Sequence, residues 1–287
     1  MKTLIYDENQ IRQFYRAVIC GTPHDTFDVD FFCVAARKKY MTQEEKEATR
    51  LGDTCMMEKT PLHEVSEDIF IHKLQKVDSC LDHLYSHNGT NIPRSCMVLY
   101  MNVNHTSMID AVKDLKSEIS LIENELYDVF MKNGLREGVA NKLKRLDTVT
   151  LKTYQNPKNV SSKNWIDIDM DLDTDKVSVS ELRTKLYDML TYFPYEGVIQ
   201  YLPFVIIQTH GGYHVLVSTR FISERNRLYA SDHKMNKGMV LSVDTYMTAI
   251  KRILEEKNVD AKEVKINQNA MVPIPGTLQG GKEVRIF

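Results

Sequence analysis

Four aspartates alternate with apolar residues in the segment WIDIDMDLD, residues 165–173. Successive side chains of a β-strand point to opposite faces, so Asp167, Asp169, Asp171 and Asp173 would share one face of a strand here. Neighbouring carboxylates repel one another unless water or a cation offsets their charge. Hard divalent cations take carboxylate oxygens and keep positions open for substrate phosphates. The segment therefore indicates a divalent-metal site, with an acid-rich exposed edge strand as the alternative.

Two glycine-containing segments follow the aspartates along the chain. The first is THGGYH, residues 209–214, where the glycines would let the backbone approach a phosphate closely and His214 could donate to a phosphate oxygen. We interpret His210 as a turn residue and Tyr213 as a core residue, since alternation points Tyr213 away from His214. The second segment is PIPGTLQGG, residues 273–281, which predicts a stiff turn with exposed amides. Each segment alone is common, and only their order and spacing together are specific.

This order of segments resembles the catalytic domain of archaeo-eukaryotic primases, particularly the primase-polymerases of phages, viruses and plasmids. That family carries DxD or DxE on a strand, then SxH in a hairpin, then an acid at a strand end that is often followed by PGT. The likeness covers about residues 160–287 by motif, and FFCVAARKKY (31–40) and SCMVLYMNVN (95–104) look less specifically like the first half of such a domain. It implies an RRM-like catalytic sheet and nucleotidyl transfer on a DNA template.

Carried over by position, the resemblance implies that Asp167 and Asp169 are catalytic metal ligands for Mg²⁺ or Mn²⁺. It implies that His214 contacts the triphosphate of the incoming nucleotide, and we add Thr209, Gly211, Gly212 and Arg220 to this nucleotide-binding set. The serine of the family motif is replaced here by Gly212, which leaves Thr209 as the nearest hydroxyl.

The third acid of the family motif is also replaced, because the strand before the PGT turn ends in Asn267. An asparagine can ligate a metal through its side-chain oxygen but adds no charge. Asp171 could supply the missing carboxylate from the first strand, and Asp232 and Asp244 are further candidates. Two bound dications usually take three or more carboxylates, with substrate phosphates as further ligands.

Basic residues follow two of the predicted strands. Arg37, Lys38 and Lys39 follow the first strand, and Arg225 and Arg227 follow the hairpin. We predict that these five residues bind nucleic acid or nucleotide phosphates, with solvated surface positions as the alternative.

Periodicity predicts the elements that must position these residues. Helical spacing covers 8–19, 68–86, 177–190 and about 241–257, with one or two long helices in 105–133, and Thr42 with Glu45 forms a capping-box pattern. Strands are predicted over 28–36, 95–103, 165–173 and 263–267, and a hairpin over 204–219. This mixture predicts an α+β fold: a mixed sheet with helices packed on it and a helical insertion in the middle. We divide the chain into an N-terminal α/β half (1–104), the insertion (105–160) and the RRM-like catalytic half (161–287).

Composition places the 287-residue chain among ordinary globular proteins, with 43% apolar and 26% charged residues and a net charge of −2. Neither the composition nor the net charge therefore indicates nucleic-acid binding, which would depend on local patches of basic residues. The five cysteines form no CxxC pair, and no apolar run is long enough to span a membrane, so we expect a cytoplasmic protein. We find no P-loop motif, and we therefore expect any partner helicase to be a separate chain.

The sequence thus predicts a primase or primase-polymerase that uses a single-stranded DNA template, NTP or dNTP, and Mg²⁺ or Mn²⁺. Two alternatives remain open. One is a catalytically degenerate nucleic-acid or nucleotide-binding protein of the same fold, which Asn267 favours. The other is a metal-dependent nuclease that uses the same aspartates.

Overall fold

The fold is seen in a computed structural model that describes residues 3–20, 22, 26–63, 66–84, 86–87, 90–133, 149, 153, 156, 159, 164–191, 204–218, 264–267 and 271–287. Its helices are α1 (Glu8–Phe14, continued by a π-turn at Tyr15–Ile19), α2 (Gln43–Thr49), α3 (Glu67–Leu84), α4 (Met108–Asn133) and α5 (Val179–Thr191), with short 3₁₀ turns at Lys38–Tyr40 and Arg94–Cys96. Its strands are β1 (Asp28–Arg37), β2 (Thr54–Leu62), β3 (Ser86–His87), β4 (Thr90–Asn91), β5 (Met97–Asn102), β6 (Thr106–Ser107), β7 (Trp165–Met170), β8 (Phe204–Gln208), β9 (Tyr213–Ser218), β10 (Val264–Asn267), β11 (Met271–Pro273), β12 (Leu278–Gln279), β13 (Lys282–Glu283) and β14 (Arg285–Ile286).

Two antiparallel sheets of five strands organise the described part of the chain. Sheet I has the order β11-β5-β1-β2, with β6 pairing an end of β1, and sheet II has the order β10-β7-β9-β8-β14. The predicted α+β class is therefore confirmed, whereas the described strands form two antiparallel sheets in place of the predicted mixed sheet. β11 belongs to sheet I although it follows β10 of sheet II, so the last part of the chain contributes to both sheets.

Local sequence signals account for several of the element boundaries. Thr42 and Glu45 form the predicted capping box at the start of α2, and the side chain of Asp7 accepts hydrogen bonds from the backbone at the start of α1. The predicted hairpin is formed by β8 and β9. The predicted helix at about 241–257 lies outside the described residues, as does most of 134–163.

Apolar side chains form a main core between the two sheets. It joins one face of sheet I to α1 and α3 and to residues of sheet II such as Trp165, Ile207 and Leu216. A second core fills the space between the other face of sheet II and α5, where Ile166 and Ile168 pack with Leu182. Sheet II is thus covered on both faces, and its two faces have different partners.

Buried hydrogen bonds also join the sheets. The amide side chain of Asn104, beyond β5, donates to the carbonyl of Trp165 at 2.8 Å and accepts from its N–H at 2.9 Å. Asn104 therefore pairs with the first residue of β7 much as a neighbouring strand would.

Asp78 of α3 fixes the N-terminal segment. Its carboxylate accepts the N–H of Leu4 at 2.9 Å and a guanidinium hydrogen bond from Arg94 at 3.1 Å. None of the described helices is long and apolar enough to cross a membrane.

Candidate active site

Asp167 and Asp169 lie on the face of β7 that turns toward sheet I, because the intervening residues Ile166, Ile168 and Met170 pack on the α5 side. Trp165 shares the aspartate face and packs in the main core. β7 ends at Met170, so the prediction of a strand to residue 173 is wrong by three residues.

The end of β7 removes the last two aspartates from the strand face. The N–H of Leu172 donates to the carbonyl of Met170 at 3.0 Å, and Asp171 is exposed at the centre of the turn that this bond closes. Asp173 forms an exposed ion pair with Lys176 at 3.4 Å. The expected common face of four aspartates is therefore reduced to two, with Asp171 near its edge.

His214 lies between the two remaining carboxylates. It is the cross-strand neighbour of Asp169 in the β7–β9 register. Its Nδ1 is 3.0 Å from Oδ1 of Asp167, and its Nε2 is 3.7 Å from Oδ1 of Asp169. The structure thus brings together the three residues that the motif order singled out, with the imidazole in contact with one carboxylate and close to the other.

Burial differs sharply among these three side chains. The side chain of Asp167 is 1% exposed and that of His214 13%, whereas that of Asp169 is 42% exposed. Burial lowers the pKa of His214, but the carboxylates of Asp167 and Asp169 outweigh it, so that the pKa is raised. Burial likewise raises the pKa of Asp167. The carboxylate of Asp167 thus favours the protonated form of His214, while Asp169 faces the solvent.

The glycine-containing turn between β8 and β9 lies against the end of β7. A Cβ atom on Gly212 would lie 2.1 Å from the carbonyl oxygen of Met170, and its φ is +155°, so this position requires glycine. Thr209 is buried, and its hydroxyl donates to the carbonyl of Gly212 at 3.2 Å. Thr209 therefore holds the turn together, and its hydroxyl is engaged within the protein.

Basic residues from the end of β1 reach this turn from sheet I. Nζ of Lys39 lies 4.0 Å from the position of a Cβ on Gly211. Burial and the charge of Arg37 lower the pKa of Lys39, while Asp171 and Asp169 raise it. Lys39 is therefore close enough to interact with the aspartates. Lys38 lies in the same 3₁₀ turn, and no described side-chain contact joins it to the site.

Arg37 and Tyr40 carry buried polar atoms without a partner. Arg37 donates from Nη1 to the hydroxyl of Tyr100 at 3.1 Å, but its Nε has no hydrogen-bond partner among the described residues, nor has the hydroxyl of Tyr40. Unsatisfied buried donors are uncommon and suit a site that receives an anionic or polar ligand.

Sequence reasoning missed Gln279, Tyr40 and Tyr100. Gln279 accepts from the N–H of His210 at 2.9 Å, and its side-chain nitrogen is 3.5 Å from the Tyr100 hydroxyl, so it links the two sheets beside the site. The ring of His210 is 5.0 Å from that of Tyr40. His210 is thus a turn residue, as interpreted, and Tyr213 is a core residue whose hydroxyl donates to Val177. These contacts join segments that are distant in sequence, and no local pattern signals them.

The PGT segment does not present exposed amides, and that prediction was wrong. Residues 273–277 are buried, the N–H of Gly276 donates to Val284 at 2.8 Å, and the carbonyl of Gly276 accepts from Tyr6 at 2.9 Å. The segment docks the N-terminal residues against the C-terminal strands.

Asn267 pairs directly with Asp167 in the β10–β7 register. The position expected to carry the third acid is thus next to the first aspartate on the neighbouring strand. Arg220, Arg225, Arg227, Asp232 and Asp244 lie outside the described residues.

The donor set suits a hard cation in part. Asp167 and Asp169 offer carboxylate oxygens on one face, as Mg²⁺ and Mn²⁺ require. Within the described ranges, however, no three His, Cys, Asp or Glu side chains are arranged to hold a metal ion. Two carboxylates fit a site that is completed by substrate phosphates. Searches against protein-family models, curated proteins and solved structures gave no match for this chain.

Proposed function

We propose that this protein is a DNA-dependent nucleotidyltransferase of the primase-polymerase type. The observation that carries the proposal is the position of His214 between Asp167 and Asp169, with Nδ1 and Nε2 at 3.0 and 3.7 Å from the two carboxylates. Carboxylates that hold a hard cation, and cationic or hydrogen-bond-donating groups that bind phosphate oxygens, are recurring parts of sites for phosphoryl transfer from triphosphates.

The topology of sheet II supports an RRM-like catalytic core. The chain order β7-α5-β8-β9-β10 and the sheet order β10-β7-β9-β8 agree with the split βαβ arrangement of ferredoxin-like and RRM sheets. α5 covers one face of this sheet. The opposite face carries Asp167, Asp169 and His214, so the proposed chemistry takes place on the face that turns toward sheet I.

The residues of this chain have distinct proposed roles. Asp167 and Asp169 would hold a divalent ion, which supplies charge neutralisation and lowers the pKa of the attacking hydroxyl. His214 donates to a phosphate oxygen of the nucleotide, and the carboxylate of Asp167, 3.0 Å from its Nδ1, favours the protonated imidazole that this role requires. Lys39, whose Nζ is close to the Gly211 turn, and Arg37 add positive charge from the end of β1, where nucleotide or template phosphates would lie. The 3′-oxygen of the growing strand attacks the α-phosphate, and pyrophosphate leaves.

A second candidate function is nucleic-acid or nucleotide binding without catalysis. The pairing of Asn267 with Asp167 favours it, because an uncharged residue occupies the strand position where a third carboxylate is expected. Such a protein would bind DNA and incorporate nothing.

Nucleotide incorporation on single-stranded DNA tests these functions. The wild type would be compared with Asp167→Asn, Asp169→Asn and the control Asp173→Asn, with and without primer, in Mg²⁺ and in Mn²⁺. We expect template-dependent product from the wild type and the control, and a loss of at least about 100-fold in the two site variants, since a lost metal ligand costs several kcal/mol of transition-state stabilisation.

The other outcomes discriminate the alternatives. A folded wild type that binds DNA and gives no product supports the binding protein. Degradation of DNA in Mn²⁺ without nucleotides supports the nuclease.

A further inference from the structure

A cluster of three sulfur atoms lies in sheet I, in the small group of buried residues that also contains Tyr100. Sγ of Cys33 is 3.6 Å from Sδ of Met56 and 3.8 Å from Sδ of Met271. Cys33 is only 1% exposed, whereas Met56 is 42% exposed. The three residues belong to β1, β2 and β11, on the face of the sheet opposite the main core. The proposed nucleotidyl transfer uses none of them.

Ordinary packing explains each sulfur alone, because methionine fills irregular gaps and a thiol makes weak contacts with thioethers. Packing alone explains less well why two methionines from different strands contact the same thiol. β11 is separated from β1 by β5, yet Met271 reaches across β5 to the same thiol that Met56 contacts from the other side. A thiolate and two thioethers are the soft donors that select monovalent copper over hard cations.

The distances suit one shared ion. With metal–sulfur bonds of about 2.3 Å, three sulfurs arranged trigonally are separated by about 4.0 Å. The two measured separations, 3.6 and 3.8 Å, are shorter by a few tenths of an ångström. Because methionine side chains are flexible, the two thioether sulfurs can move apart from the thiol by these few tenths of an ångström without any movement of the strands. Exposure of Met56 gives an ion a route to the buried thiol.

We propose that Cys33, Met56 and Met271 form a binding site for a soft monovalent cation, Cu⁺ or Ag⁺. On binding, the S–H bond of Cys33 breaks, a metal–sulfur bond forms and the proton passes to solvent. Each methionine donates a lone pair, and no oxidation state changes. Exchange of a proton for a monovalent cation leaves the charge of the site unchanged, so the nearby ammonium of Lys59 does not oppose it.

Proton release gives one measurable consequence. Burial raises the pKa of Cys33 to about 12, so the free site holds a neutral thiol at pH 7. Uptake of each ion should therefore release close to one proton.

Anaerobic titration with Cu⁺ buffered by a chromophoric chelator tests the proposal. The parent would carry Cys20→Ser, Cys55→Ser and Cys80→Ser, which removes the three less buried thiols. We expect one equivalent of copper, a sulfur-only shell at about 2.3 Å in X-ray absorption, and at least tenfold weaker binding in Met56→Leu and in Met271→Leu. Met57→Leu is the matched control, because this neighbour packs against the main core instead, and it should bind as the parent does.

Three results would overturn the proposal. The first is no stoichiometric uptake by the folded parent. The second is parental affinity in the double variant Met56→Leu, Met271→Leu, which would leave the thiol as a simple one-donor ligand. The third is loss of uptake in Cys96→Ala but not in Cys33→Ala. The conservative leucine variants keep the test valid if Cys33→Ala fails to fold, and circular dichroism would verify the fold of each protein.

Discussion

Asp167 is a carboxylate in a protein core, and its position there depends on His214. A buried carboxylate costs several kcal/mol unless a partner compensates it. The imidazole of His214, at 3.0 and 3.2 Å from the two carboxylate oxygens, supplies that compensation. The carboxylate of Asp169 needs no such partner, because solvent reaches it. The two aspartates of one short motif thus differ in what they contribute to stability.

This difference predicts that catalysis and stability separate in the two aspartate variants. Asp167→Ala should lower the free energy of unfolding by about 3 kcal/mol, because it leaves a buried imidazole without its partner. Asp169→Ala should change it by no more than about 0.5 kcal/mol. Both variants should lose nucleotide incorporation. Urea unfolding monitored by the fluorescence of Trp165 measures the first quantity, and equal destabilisation of the two variants would contradict the interpretation.

Lys59 is a partly buried cation whose charge should destabilise the fold. Its Nζ lies 3.7 Å from the centroid of the Phe31 ring and has no hydrogen-bond partner among the described residues. Burial lowers the pKa of Lys59 from 10.5 to about 8. The folded protein therefore releases this proton before the unfolded chain does, so the cost is present below pH 8 and disappears as the pH rises toward 10.5.

Replacing Lys59 with leucine should therefore stabilise the protein at pH 7 by about 1 kcal/mol, a value reduced to allow for partial exposure to solvent. The advantage of Lys59→Leu over the wild type should shrink between pH 8 and pH 10.5, where the wild-type amine becomes neutral. Denaturant unfolding at pH 7 and pH 10 measures both effects. A constant difference between the two proteins across this range would show that packing, and not charge, is responsible.

At the residue scale, the sequence was informative where chemistry and local geometry coincide. Alternation along β7 is a short-range rule, and it predicted that Asp167 and Asp169 share one face; the expectation that His214 joins them came from the resemblance of the motif order. Alternation could not predict that the strand stops at Met170, because the stop depends on how the backbone of the Gly212 turn packs there. It is this stop that takes Asp171 off the strand face.

At the scale of elements, ion pairs on the surface join α1 to α3. Glu67, at the start of α3, accepts hydrogen bonds from Arg12 at 2.8 Å and from Arg16 at 2.7 Å, which tie α1 and its π-turn to α3. The hydrogen bonds from Arg16 and Arg12 lower the pKa of Glu67 to about 2. The carboxylate therefore stabilises the fold fully above its unfolded value of 4.5, and this contribution is lost as the pH falls from there toward 2.

Acid sensitivity of the α1–α3 contact follows from this pKa. Between pH 5 and pH 3 the wild type should lose stability in part because Glu67 takes up a proton on unfolding. The Glu67→Gln protein should be less stable than the wild type at pH 5, and its free energy of unfolding should fall less than that of the wild type on acidification. Unfolding curves at the two pH values measure this, with the exposed Glu44→Gln as the control that should follow the wild type. Parallel losses in Glu67→Gln and the wild type would exclude the proposed linkage.

Element prediction succeeded for strongly periodic segments and for α2, whose capping box is a local signal. It could not foresee that the PGT segment is buried, since that depends on Tyr6 and Val284, which come from opposite ends of the chain. Propensity records what a segment prefers by itself, while packing decides what lies against it.

Buried hydrogen bonds, together with the main core, hold the two sheets against each other. Asn104 supplies both a donor and an acceptor to the backbone of Trp165 in a buried position. Asn104→Ala should lower the free energy of unfolding by about 2 kcal/mol, because the N–H of Trp165 loses its partner. It should also reduce nucleotide incorporation, since the proposed site combines Lys39, which follows a strand of sheet I, with Asp169 of sheet II and therefore requires the two sheets to keep their relative position. Thermal unfolding and the incorporation assay measure these effects.

The exposed Asn91→Ala serves as the control for Asn104→Ala and should change neither quantity. An Asn104→Ala protein with wild-type stability would mean that the main core alone fixes the two sheets.

The pairing of β11 with β5 has a consequence for how this protein is made. β5 is a fully buried strand, and one of its edges is covered by residues 271–273, which a ribosome adds long after residues 97–102. Until then the nascent chain presents an apolar strand edge, which is a site for aggregation or for chaperone binding. Contacts between such distant segments also slow folding. Sheet I, although most of its strands are translated first, is therefore completed only after the chain has supplied β10 to sheet II.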